Sequence, residues 1–238
     1  MFRVRRRNCE KHVNKKPRLG LFLYDTFFMH TDYLPFFPLK LVAFPGEQLN
    51  LHIFEPRYKQ LINECVVEER TFGIPVFHEK ILDYGSEMEV VEVVKQYSGG
   101  EMDIFTKCVG AFKMKNFDEK APGKLYAGGQ IERIANVVDH TDGQWTELRT
   151  LAKELVQLIH MEKELDVDLM TDSFQLAHKL GLSLEQEYDM LQMPSEAQRQ
   201  QYMINHMRLA IPIIKEMEGA KERIRMNGHF QHHDPLNF

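Results

Sequence analysis

The sequence predicts an α+β protein in which a sheet-rich unit precedes a helical one. From Leu34 to about Val138, short alternating or wholly apolar runs are bounded by Gly, Pro and Asp, the punctuation of strands and turns. After Asp142 the period changes, and apolar residues recur every three or four positions. The chain's 238 residues, 43% hydrophobic and 27% charged, suffice for one or two domains with real cores. The expected divisions are a disordered basic extension at 1–28, a β-rich domain at 29–140, a helical bundle at 141–227 and a flexible tail at 228–238.

The extension carries eight basic residues, Arg3 to Arg18, against Glu10 and Asp25, a net of +6, which leaves −11 on the remainder. Its polar stretch runs to Arg18 and no Ala-x-Ala follows, unlike a secretory signal. A basic arm attracts phosphate, but no base-reading motif accompanies it, and an acidic body repels nucleic acid. A solvated segment is expected, because its periodic apolar content is too small to offset ordering entropy. Asp25 interrupts the apolar run Leu19 to Met29, and no stretch reaches the ~18 residues of a membrane span.

In the β-rich part, Leu49, Leu51 and Ile53 alternate with Asn50 and His52. Pro56 stands where a first helical residue belongs, and Tyr58, Leu61, Ile62 and Cys65 follow at helical spacing. The run Met88 to Val94 is apolar on both faces, which predicts a strand buried on more than one side. Ser98, Gly99 and Gly100 offer turn geometry before Met102 to Val109, so the two runs read as a hairpin. A further strand pair brackets the loop Asp118 to Lys124.

Trp145, Leu148, Leu151, Ala152, Leu155, Leu158 and Ile159 make one face of an amphipathic helix. Asp172 can cap a short helix that Gly181 terminates, and Leu184 to Leu191 forms another. The last and longest opens at Ser195 and Glu196 and runs to about Arg225, with Pro212 predicted to kink it.

The chemistry is informative by omission. Cys9, Cys65 and Cys108 are three, far apart, with no CxxC, so neither a disulfide framework nor a four-cysteine zinc site follows, and a reducing, cytoplasmic setting is expected. Gly123-Lys124 lacks both the leading Gly and the Ser or Thr of a phosphate loop. None of the five serines stands in a Gly-x-Ser-x-Gly elbow, and there is no His-Glu-x-x-His. His229, His232 and His233 cluster near the end without enough further ligands for a structural metal site, and no cofactor is expected. Eight of the 13 methionines lie from Met161 onward, which suits either an adaptable apolar groove or an ordinary core.

Several local motifs occur together: Leu34-Pro35-x-Phe37-Pro38-Leu39, Phe44-Pro45-Gly46, the run Leu51-His52-Ile53-Phe54-Glu55-Pro56-Arg57-Tyr58, and Phe72-Gly73-Ile74. Taken together, they resemble the start of the N-terminal substrate-binding domain of the ATP-dependent protease Lon, and the likeness extends over about residues 34 to 226. The resemblance implies a PUA-like small β-barrel with one inserted helix, followed by a helical bundle ending in a long kinked helix. Where that family has Gly-x-x-Arg-Phe, this sequence reads Cys108-Val109-Gly110-Ala111-Phe112, without the Arg. Within these residues nothing corresponds to Lon's ATPase or Ser-Lys peptidase regions.

The function implied is non-enzymatic binding of polypeptide clients. An adaptor docking on one protein partner, such as a protease, is the alternative, and an RNA-binding PUA-like protein a weaker one. Pro45, Gly46, Phe54, Glu55, Pro56, Arg57 and Tyr58 are read as structural, with Arg57 an ion-pairing or capping residue. On the last helix, Met203, Met207, Ala210, Ile214, Met217 and Ile224 follow a 3.5-residue seam. Its half beyond Pro212 places the expected client-binding or self-association surface on Ile214, Met217 and Ile224.

Overall fold

The computed structural model describes residues 33–161 and 165–228. The extension at 1–28, Glu164, the histidine cluster and nearly all of the tail lie outside the described residues. Among the described residues six strands form in the short apolar or alternating runs: β1 (Tyr33–Phe36), β2 (Gln48–Ile53), β3 (Phe72–His78), β4 (Lys80–Gln96), β5 (Met102–Met114) and β6 (Ala127–Ile134). Their order is β2-β5-β4-β3-β1-β6, and β5 also pairs with β6. Strands β5, β4, β3, β1 and β6 therefore close a five-stranded barrel, with β2 flanking it. All ladders are antiparallel except β1 with β3.

Strand β5 organises the barrel. Its first half, Met102 to Lys107, pairs with β2, its last residues, Ala111 to Met114, pair with β6, and β4 runs along it over its length. The hairpin turn between β4 and β5 contains Gly100 at φ +79°, a left-handed conformation that glycine adopts without a Cβ clash.

Helix α1 (Pro56–Glu68) starts at Pro56, which lacks an N–H where none is needed, and closes at Glu69 in the left-handed region. It lays Tyr58, Leu61, Ile62 and Cys65 on Phe37, Phe72, Ile74, Met88, Met102, Ile104 and Cys108. Each such fully buried side chain contributes about 1.5–3 kcal/mol. A smaller aromatic cluster closes the other side, where Phe36 stacks on Phe112 (5.7 Å) and Phe117 (6.0 Å).

The helical part comprises α2 (Asp142–Leu158), α3 (Phe174–Ala177), α4 (Leu184–Leu191) and α5 (Glu196–Gly228). Thr141 caps α2 by accepting from the Gln144 N–H, and Ser183 with Gln186 forms a capping box on α4. Gly181 ends the segment after α3 at φ +75°. Leu148, Ala152, Leu155 and Val156 of α2 pack on Met203, Ile204, Met207 and Ile211 of α5. The same cluster takes in Val42, Phe44, Val76 and Ala111 from the sheet part, so barrel and helices share one continuous core. Met190, Met203 and Met207 are fully buried in it.

Helix α5 extends to Gly228 with Pro212 exposed inside it, and its 33 residues span roughly 50 Å at ~1.5 Å per residue. One feature differs from the sequence expectations. Strand β4 is buried only to Met88: Val91, Glu92, Val93 and Val94 are exposed. An apolar run on both faces reads as a doubly covered strand, yet here the strand outlasts its neighbour β3, which pairs with it no further than Met88.

Candidate functional site

Several buried polar residues serve the structure. Ser86 donates its hydroxyl to the Ala43 carbonyl (2.6 Å), and Thr106 to that of Leu49 (3.0 Å). Glu87 takes a bidentate pair from Arg133 (2.6 and 2.7 Å) and the Thr71 hydroxyl (2.6 Å), while burial pushes its pKa up. Burial also raises the Cys65 thiol to about 11 and the Cys108 thiol to about 12, so neither is a ready nucleophile. Among the described residues no group of three or more His, Cys, Asp or Glu side chains could hold a metal ion.

The motif residues build turns and a helix start. Gly46 takes φ +89°, and its N–H bonds to the Cys108 carbonyl (2.8 Å). Arg57 pairs with Glu55 (2.8 Å) and lies 4.5 Å from the centroid of the Tyr58 ring, which in turn packs 4.0 Å from Phe37. Phe54 is exposed. Beside Pro45 and Gly46 opens a cavity of about 420 Å³, lined by Phe44, Met170, Phe174 and His178.

At its edge His178 joins barrel to helices, with Nε2 at 2.9 Å from Glu47 and Nδ1 at 2.6 Å from Glu187. Burial pulls the imidazole pKa down, but the two carboxylates outweigh it and the net shift is upward. For Glu47, burial pushes upward, but the bonds from His178 and the Phe44 N–H prevail and hold the carboxyl below its ordinary value.

Beyond Pro212, the expected residues part company. Ile214 is half-buried against the helical core, whereas Met217 is 55% and Ile224 72% exposed. They are joined by two residues outside the 3.5-residue seam, Leu209 at 72% and Ile213 at 59%. At ~100° per residue these four fall within an arc of roughly 80°, turned roughly 130° from the buried face. A 3.5-residue repeat drifts ~20° per heptad around a straight α-helix, so the seam leaves the core face as it passes Ile214. The spacing of four between Leu209, Ile213 and Met217 is the signal that marks this second face.

A second apolar surface lies where β4 outruns β3. A groove of about 320 Å³ runs between the end of α1 and β4, lined by Val66, Glu69, Arg70, Glu89, Val91 and Val93. Arg70 is engaged by Glu64 (3.1 Å) and Glu68 (3.2 Å). Glu64 also accepts from Lys124 and Tyr126, and these donors overcome burial to lower its pKa to about 2.

Known proteins share this architecture. A Lon N-terminal domain protein from Xanthomonas campestris superposes with a TM-score of 0.58 at 21% identity, over 73% of this chain and 97% of its own. The N-terminal domain of the Mycobacterium avium complex Lon protease does so at 0.57 and 14%, over 74% and 98%. No curated protein sequence matches the chain. The family model of the ATP-dependent protease La (LON) substrate-binding domain matches residues 33–209, from β1 into the apolar stripe of α5, and the chain belongs to that family.

Proposed function

We propose that this chain is a non-enzymatic polypeptide-binding module that holds unfolded or apolar protein segments in a reducing, cytoplasmic setting. The observation that carries the reading is the outward stripe Leu209, Ile213, Met217 and Ile224 on α5. An apolar helix face left uncovered is the usual mark of an interaction surface, and unbranched Met217 adapts to varied clients. Family membership supports substrate binding as its role, and the buried Ser86, Glu87, Thr106, Glu196 and Arg199 are engaged in structural hydrogen bonds. Among the described residues no helix is long and apolar enough to cross a membrane.

The test uses a fluorescently labelled, reduced and alkylated protein as client, followed by anisotropy. Wild type binds saturably, and Met217→Glu with Ile224→Glu abolishes binding while shifting stability by no more than about 0.5 kcal/mol, as exposed positions do. Unchanged binding in the double variant, or a stability loss above about 2 kcal/mol, refutes the assignment. A stoichiometric single partner recovered from cells, in place of a spread of clients, would favour the adaptor reading.

A further inference from the structure

We propose that the outer edge of β4, from Glu89 to Lys95, receives an extended segment of another protein as an added strand, and selects segments in which apolar residues alternate with Lys or Arg. This surface is separate from the α5 stripe, and its test does not depend on that stripe.

Three observations converge on it. Beyond Met88, β4 pairs with β5 alone, so the backbone N–H and C=O groups on its other edge have no strand partner. An unpaired edge of this kind is a template for a further strand, about 4.8 Å away. The surroundings are apolar: Val91, Val93 and Val94 on β4, and Val66 and Val67 on α1, are all exposed. A strand laid along the groove would cover both.

The charge then selects the occupant. Glu69, Glu89 and Glu92 line the groove, and none has an ion-pair partner among the described residues. Of the neighbouring cations, Arg70 is committed to Glu64 and Glu68 and Lys95 lies over the Tyr97 ring at 4.3 Å, while Lys107 stands opposite Glu89 on β5 without forming an ion pair with it. A second copy of this chain would set Glu89 and Glu92 against like charges, which is unfavourable across a strand pair. A segment bearing Lys or Arg supplies the missing partners. Register shifts between Val90 and Glu92 and between Val93 and Lys95 interrupt the ladder. Bulges limit open-ended edge pairing, so the added strand is a short one.

The experiment titrates the full chain with a short peptide alternating Val and Lys, with its Val/Glu counterpart, and with the Val/Lys peptide N-methylated at every second amide. Saturable binding of the Val/Lys peptide is expected, with slowed amide exchange from Glu89 to Lys95. The Val/Glu and N-methylated peptides should not bind, the latter because it lacks the donors on one edge. Glu89→Lys with Glu92→Lys should weaken Val/Lys binding about tenfold and favour the Val/Glu peptide, the loss of two exposed charge pairs.

The α5 variant Met217→Glu with Ile224→Glu should bind the Val/Lys peptide like wild type, so failure at one surface is distinguishable from failure at the other. Equal binding of the N-methylated peptide, absence of protection on β4, unaltered affinity after charge reversal, or no binding at all overturns the proposal.

Discussion

Replacing Arg199 with Ala should cost more stability than any exposed substitution. Its side chain is 1% exposed at the start of α5. The guanidinium donates to Glu196 (2.7 Å), to Asn136 (2.6 Å) and to the Met193 carbonyl (2.7 Å), and lies 4.1 Å from the Phe174 ring centroid. Glu196 is itself buried and accepts from the Ser173 N–H (2.9 Å) and hydroxyl (2.8 Å). The pair thus ties the first turn of α5 to α3 and to the segment after β6. Removing one partner of a buried pair leaves a charge without compensation, a loss of about 3–5 kcal/mol. Against a total of roughly 5–15 kcal/mol this is a large share. Urea titration followed by far-UV circular dichroism measures it as a fall in midpoint. The double variant Glu196→Gln with Arg199→Met should lose much less, because both charges leave together. A loss below about 1 kcal/mol in Arg199→Ala, or a double variant as unstable as the single one, would refute the argument.

Two further outcomes follow from the geometry. The raised His178 pKa means that its contribution is complete below the ordinary value of 6.5 and fades as pH rises through the shifted one. The lowered Glu47 pKa means that its contribution holds above 4.5 and fades as pH falls. The melting-temperature gap between wild type and His178→Gln should therefore be widest between these values; an equal gap at about pH 5.5 and about pH 8.5 would contradict this. On β6, a Cβ at Gly129 would stand 2.1 Å from the Asn116 carbonyl oxygen and 2.7 Å from the Phe36 ring. Gly129→Ala should lose about 1–3 kcal/mol, read as a lower melting temperature, and an unchanged melt would show that the loop yields freely.

Local chemistry made much of the fold readable. Pro56 at a helix start, Gly100 in a hairpin and Gly181 at a helix end act through their own backbone geometry, so their effects need no knowledge of the neighbours. The exposure of β4 past Met88 depends on where β3 ends, which no local pattern encodes. Glu196 reads only as part of a helix start and Arg199 carries no local signal, because only tertiary packing supplies Ser173, Asn136 and Phe174 as their surroundings. The exposure of the outer face of α5 was half legible. Met217 and Ile224 emerge from spacing, whereas Leu209 and Ile213 emerge only once the core face is fixed.

The closure of the barrel through β1 has a consequence for synthesis. Tyr33 pairs with Gln130 and Phe36 with Ala127, so the first of the described strands waits for the last. At ~5–20 residues per second, the roughly 100 positions between them take roughly 5–20 s to emerge from the ribosome. Until then Leu34 and Phe36, both buried in the finished barrel, lack the cover that β6 provides. The β4–β5 hairpin, whose strands are separated by a short turn, can form within microseconds of its own emergence. The nascent chain therefore passes through a stage with a formed hairpin and an unsealed seam, during which a chaperone has its longest access to β1.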